Sequence, residues 1–239
     1  MLENIEIKDV LFLDIETVPL YSTFREQPES LKNLWEKKSS YFRKPDERAE
    51  DVYQRAGIYS EFGKIICISV GIIHVKNDDR FLRLKSFAGD DEKKILSDFS
   101  EMLEELNSRR KISLCAHNGK EFDFPYIARR ILINNLKLPP LLDIAGKKPW
   151  ETCLLDTMEL WKFGDYKHYT SLDLLTTIFN IPSPKDKIDG SMVAGLYWEE
   201  KDIESIVTYC QKDVVAIAQL MLRYRNEELI GEENIEIAG

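Results

Sequence analysis

The chain is predicted to be an α/β protein, a mixed β-sheet flanked by helices. Three strand-like runs precede the first strong helix, a further strand follows that helix, and the composition is that of an ordinary globular protein with 44% hydrophobic residues. A length of 239 residues suits one domain, residues 1–239, with an elaboration.

The first strand is expected over residues 10–15 of "VLFLDIETVP", where four apolar residues, Val10 to Leu13, lead into Asp14 and Glu16. Side chains alternate faces along a strand, so positions 14 and 16 project together while Ile15 packs opposite. Two like charges held that close need a proton, a cationic side chain or a metal ion to offset their repulsion. Residues 20–63 form a charged, aromatic-bearing stretch with Trp35, Tyr41, Phe42, Tyr53 and Tyr59. They read as a helical excursion, either a solvated arm with a small aromatic anchor or a cover over a substrate groove.

A second strand, rich in β-branched residues, is expected over 64–75 and a third, by its alternation, over 80–87, with "KNDD" as the turn. A helix follows over about 90–107, started by Asp90 and Asp91, its apolar residues Ile95, Leu96, Phe99, Met102, Leu103 and Leu106 at helical spacing. "KISLCAHNG" is a strand running into a glycine-containing turn, and a helix spans about 124–134. Beyond a proline-bearing loop, "TCLLDTMELW" enters a short element and "TSLDLLTTIFNI" a helix opened by Thr170 or Ser171. "IPSPKDKIDGS" is a loop, and a last helix runs over about 201–225 with the stripe Ile203, Val207, Cys210, Val214, Ile217 and Met221.

The 42 acidic residues against 33 basic, net charge −9, argue against a protein that coats nucleic acid over its whole surface, though not against a local basic track. Between residues 109 and 187 there are thirteen basic residues against nine acidic, and His168 and Tyr169 in that window are of types that stack on bases or bind phosphate. Cys67, Cys115, Cys153 and Cys210 lie far apart without a CxxC or CxxH spacing, the pattern of buried reduced thiols in a cytoplasmic protein. No secretory pattern opens the chain, and the longest apolar stretch, residues 65–75, is about half of the ~20 residues a membrane helix needs.

Acids sit against the local grain at three places. Asp14 and Glu16 are one. In "NGKEFDF", Asp123 lies between Phe122 and Phe124 just after a strand and turn. It reads equally as a ligand-facing carboxylate at a strand end or as a cap on the next helix, with Pro125 in the first turn. In "YCQKD", Tyr209 and Asp213 are four apart and share one helical face, at the flank of the apolar stripe. Four converging carboxylates would repel strongly, and two Mg²⁺ or Mn²⁺ ions, which take oxygen ligands, are their natural counterpart. The candidate ligands of these motifs are carboxylates, with histidine and thiolate ligands absent from the set, which disfavours zinc.

Together "DIE" (Asp14, Glu16), "NGKEFD" (Asn118 to Asp123) and "YCQKD" (Tyr209 to Asp213) resemble the three motifs of the DEDDy group of 3′-to-5′ exonucleases. That group belongs to the ribonuclease H-like superfamily and includes the proofreading domain of family B DNA polymerases and ribonuclease D. The N-x3-F-D form is closer to the polymerase branch, and the likeness spans residues 10 to about 222 without the 20–63 excursion. Where the sister DEDDh group has histidine, this chain has Thr208.

The resemblance implies a ribonuclease H-like mixed sheet and two divalent cations held by Asp14, Glu16, Asp123 and Asp213. It also implies a water-positioning Tyr209, and Thr17, Asn118 and Phe122 near the substrate. By that likeness the chain is expected to be a metal-dependent exonuclease acting on single-stranded DNA 3′ ends. An exoribonuclease of the ribonuclease D type is the nearest alternative, and a nucleic-acid-binding module without catalysis a further one.

Overall fold

The computed structural model describes residues 2–165, 169–182 and 188–238. Strand β1 (Val10–Pro19) pairs antiparallel with β2 (Gly63–Lys76), which pairs antiparallel with β3 (Asp79–Ala88). The β2–β3 turn uses Asn77 and Asp78, both at positive φ (54° and 68°), the two-residue hairpin geometry whose twist matches its strands. On the other side of β1 lie β4 (Ser113–Ala116) and β5 (Leu154–Asp156), both parallel. A short β6 (Ile235–Ile237) adds parallel to β3, so the order is β5-β4-β1-β2-β3-β6, the mixed sheet that was expected.

Helices cover both faces. On one, α2 (Glu92–Arg109) and α3 (Asp123–Ile133) pack Ile95, Leu96, Phe99, Leu103, Phe124, Ile127 and Ile131 onto Leu11, Leu13 and Ile15 of β1 and Ile65, Ile68 and Val70 of β2. On the other, α7 (Ile203–Tyr224) packs Val214, Ile217, Ala218 and Met221 over Val10, Phe12 and Ile73. The alternation along β1 thus sends its odd residues to α2 and α3, and leaves positions 14 and 16 facing α7.

A register shift in the β1–β2 pairing refines this. Glu16 pairs with Cys67 but Thr17 with Ile65, so Ile66 is an extra residue, a β-bulge that keeps both Ile66 and Cys67 on the α7 side. Four residues beyond Cys67, α7 comes close enough that a Cβ on Gly71 would lie 2.8 Å from Val214 Cγ1. Glycine at 71 is what lets the helix sit that low over the sheet.

The excursion contains α1 (Glu29–Ser39) and 3-10 turns, folded around buried Trp35, whose Nε1 donates to Ala49 O at 2.9 Å. Phe42, Tyr53, Tyr59 and Phe62 surround the indole at 5.3–6.0 Å, an aromatic anchor. Tyr41 is not part of it and is exposed. The segment is tied to α3: Tyr126 Oη donates to Gly57 O at 2.7 Å, and Arg130 Nη1 to Ser60 O at 2.8 Å. Arg130 also pairs with buried Glu92, its Nε 2.8 Å from Oε1, so this member of the basic window belongs to the interior.

Several boundaries move. Strand β1 runs to Pro19 because β2 continues to pair with it, and proline is tolerated at the strand's end. Helix α2 begins after Asp91, which accepts from Lys94 N at 3.1 Å, and Ser171 rather than Thr170 caps the short α5 (Leu172–Ile178). In α7, Ile206 is fully buried while Ile203 and Val207 are only partly so, because the first turns of the helix lean on Val193, Leu196 and Tyr197 beside the short α6 (Val193–Gly195). The helix α4 (Thr157–Lys162) follows β5 directly. His168 and three of the thirteen basic residues of the window, Lys167, Lys185 and Lys187, lie outside the described residues.

Candidate active site

Three distant segments meet at the α7-facing side of β1. Asp14 and Glu16 project from the strand, Asp123 opens α3, and Asp213 lies on α7. The acids interact: burial raises the Asp14 carboxyl well above its ordinary value, followed by the charges of Asp213, Glu16 and Asp123. Burial, then Asp213, does the same to Glu16. Asp123 is pushed up to about 7, by burial first and then by Asp156 and Asp213. These are the consequences of gathering like charges in a pocket of low polarizability.

Asp123 is held by the break in the sheet. The β1–β4 pairing ends at Phe12 and Cys115, and beyond it the Asp123 carboxylate takes a hydrogen bond from the backbone of Ile15. It is the first residue of α3, not its cap, since that position belongs to Phe122. Near a helix N-terminus a carboxylate gains from the dipole, and this opposes part of the burial cost.

Tyr209 and Asp213, one turn apart, interact directly, the phenol donating to the carboxylate. Burial and the charges of Asp213, Glu16 and Asp14 push the Tyr209 phenol far above its ordinary value of 10. Toward Asp213 the phenol is therefore a hydrogen-bond donor.

The turn between β4 and α3 is shaped by a residue the motif reading passed over. Asp156, buried at the end of β5, accepts from Asn118 N (3.0 Å), Lys120 N (3.1 Å), Met158 N (3.0 Å) and Glu159 N (3.2 Å). It caps α4 and pins the turn that presents Asn118 at the same time. A strand ending in an acid just before a helix is a capping pattern that could have flagged it. Asn118 sits at φ 60°, and its Oδ1 is buried without a hydrogen-bond partner.

Thr17 and Phe122, the chain neighbours of Glu16 and Asp123, both meet Tyr126. The Thr17 hydroxyl donates to the Tyr126 phenol, and the Phe122 ring lies 5.4 Å from that of Tyr126. Tyr169 is close enough to feel the charges of Asp123, Asp156 and Asp213, which with burial raise its phenol, yet it remains 64% exposed. Its ring meets that of His117 edge-on at 6.4 Å, and His117 is fixed by Thr157 Oγ1 and Thr170 O, both at 2.9 Å.

Cys210, read from the sequence only as a member of the apolar stripe, also reaches the site. Its Sγ lies 3.4 Å from Asp14 Oδ2 and 3.4 Å from Asp14 O.

The donor chemistry fits divalent cations. The carboxylates of Asp14, Glu16, Asp123 and Asp213 offer oxygen ligands, and the upward shifts of the three whose directions are given above record the positive charge such a pocket calls for.

No helix of the described residues is long and apolar enough to cross a membrane. No curated protein matches the chain. Residues 58–232 match a family described as predicted 3′-5′ exonucleases related to the exonuclease domain of PolB; Asp14 and Glu16 precede that span, while Asn118, Asp123, Tyr209 and Asp213 fall within it. The chain belongs to this 3′-5′ exonuclease family.

Proposed function

We propose that residues 1–239 form one exonuclease domain of the DEDDy type, which removes nucleotides from single-stranded DNA 3′ ends with the help of two divalent cations, Mg²⁺ or Mn²⁺. One observation carries this reading: four carboxylates and a protonated phenol, from β1, α3 and α7, act on one another in a single cluster.

Asp14, Glu16, Asp123 and Asp213 would hold the cations. When bound, they supply positive charge to the attacking and leaving oxygens of the displacement. The chain's own residues do the positioning. Tyr209 can hold the attacking water by its oxygen while its own hydrogen is donated to Asp213. Asn118 has a buried acceptor free for a donor of the terminal nucleotide. Thr17 and Phe122, fixed through Tyr126, form the wall beside it, and Tyr169 offers a ring for stacking.

The test is digestion of 3′-labelled and 5′-labelled oligonucleotides, DNA and RNA in parallel, with each cation, beside an Asp14→Ala control. The reading expects release of single nucleotides from DNA 3′ ends, and none from the control. Preferential degradation of RNA would make the chain an exoribonuclease, and binding without release a module without catalysis.

A further inference from the structure

We infer that Lys64 and Lys201, held against Tyr197 and Trp198 where β1 ends, form a site for a phosphate of the nucleic-acid strand other than the one being cleaved. The inference rests on the proposed function for the kind of ligand, a single strand, and not for its cleavage.

The two lysines meet on one aromatic pair. Lys64 Nζ lies 4.7 Å from the centroid of the Tyr197 ring and 5.0 Å from that of Trp198, and Lys201 Nζ lies 5.8 and 5.1 Å from the same two. Lys64 Nζ also donates to Tyr197 Oη at 2.7 Å, and that hydroxyl donates to Asp90 Oδ1 at 2.6 Å, which aims the ammonium with two hydrogens to spare. Neither ammonium has a carboxylate at ion-pair distance among the described residues. Of the acids nearby, Glu92 is taken by Arg130, and Asp202 by Ser205 N and Oγ at 3.0 and 2.6 Å. Burial lowers the Lys64 ammonium, the charges of Asp90 and Glu92 oppose this, and the charge of Lys201 adds to it. Two cations gathered on one pair of rings are what an anion relieves, and an ammonium binds phosphate as a point charge.

The backbone is shaped to make this cluster. A π-helical turn, Leu196–Glu200, carries the two rings, and Trp198 Nε1 fastens it to β1 by donating to Pro19 O at 3.2 Å. Lys201 ends the turn at φ 58°, a left-handed conformation that glycine adopts at less cost. Placement follows from strand register. Lys64 pairs with Val18, and cross-strand partners share a face; Val18 packs with Cys67, Tyr197 and Cys210 on the α7 side. Lys64 therefore continues the row of Asp14 and Glu16, two strand residues or about 7 Å beyond Glu16. That is close to the spacing of successive phosphates in an extended single strand, so a strand cleaved at the carboxylates brings a neighbouring phosphate, internal or 3′-terminal, to the lysines.

The experiment uses the full chain with Asp14→Ala as the parent, so that no cleavage intervenes, and reads the fluorescence anisotropy of a short 5′-labelled single-stranded DNA with Mg²⁺. Lys64→Gln and Lys201→Gly should each weaken binding at least about fivefold, and together make the logarithmic salt slope shallower by at least about 0.7, one phosphate neutralised. Lys37→Ala, which removes an exposed charge on α1, should cost less than about twofold. Lys201→Gly should leave the melting temperature equal or higher, because glycine relieves the left-handed residue, whereas a lysine of structural use only would lower it. Two arms find the phosphate: a single neutral methylphosphonate linkage moved stepwise from the 3′ end, and a 3′-phosphate against a 3′-hydroxyl. One of these changes should alter binding to the parent and leave the double lysine variant unaffected. Absence of binding to the parent, losses no larger than that of Lys37→Ala, or no difference between parent and double variant in either arm would overturn the inference. Digestion by the chain with Asp14 in place is measured separately, so the exonuclease reading and the lysine site fail independently.

Discussion

Tyr209 donates its phenolic hydrogen to Asp213, one helical turn further along α7, and the acids around it keep that hydrogen in place. A tyrosine so held can orient water without removing its proton. Tyr209→Phe is therefore expected to lower single-turnover cleavage by about 10²-fold, the lower end of what a positioned proton-handling group contributes. The Mg²⁺ concentration for half-maximal rate should stay within about threefold. Equal loss of both quantities would mean that the phenol helps to build the cation site.

The acid cluster sets a dependence on pH. Asp123 holds its proton up to about pH 7 in the folded chain, against 3.8 for the ordinary carboxyl, and Asp14 and Glu16 shift in the same direction. The unfolded chain binds fewer protons in that window, so this contribution to stability is full below about pH 4 and is lost as the pH rises through about 7. Melting in EDTA should show this decline, and Asp123→Asn should flatten it. Mg²⁺ should raise the melting temperature more at pH 8 than at pH 5, because it binds the deprotonated acids.

Asp156 holds two elements with one carboxylate. Oδ1 accepts from Asn118 N, Met158 N and Glu159 N, and Oδ2 from Lys120 N. Asp156→Ala leaves four donors without this partner and is expected to cost about 2–4 kcal/mol in urea unfolding, a lost cap plus unsatisfied buried groups. Asp156→Asn keeps the three bonds to Oδ1 and loses the fourth, so it should cost less than half as much. It should still slow cleavage, because the turn presenting Asn118 is loosened.

Gly71 sets the height of α7. The added Cβ of Gly71→Ala meets Val214 Cγ1 at 2.8 Å and should destabilise by about 1–3 kcal/mol, as overpacking does. Raising α7 also moves Tyr209 and Asp213 away from β1, so activity should fall with stability. Adding Val214→Ala removes the clashing methyl, and the double-mutant cycle should show favourable coupling. Additive losses would place the strain elsewhere.

The legible parts of this molecule are those with a local period. Alternation along Val10–Glu16 shows which way Asp14 and Glu16 face, and the four-residue step from Tyr209 to Asp213 shows that they share a face; both hold in three dimensions. The expected ribonuclease H-like sheet is there with its helices. What local pattern does not carry is long-range register. The bulge at Ile66 depends on the partner strand, the meeting of Cys210 with Asp14 on where α7 crosses β1, and the double role of Asp156 on two loops converging. Strand β6 has only three residues, too few for a periodic signal, and exists through its pairing with β3. The thirteen basic residues of the 109–187 window likewise look alike in one dimension, yet Arg130 is buried against Glu92 and Lys120 is paired with Glu159.

The most direct measurement is the anomalous scattering of manganese in crystals of the chain soaked in Mn²⁺. The account predicts two peaks enclosed by Asp14, Glu16, Asp123 and Asp213, with the Tyr209 phenol alongside. No peak at those side chains, or manganese bound only elsewhere on the surface, would contradict it.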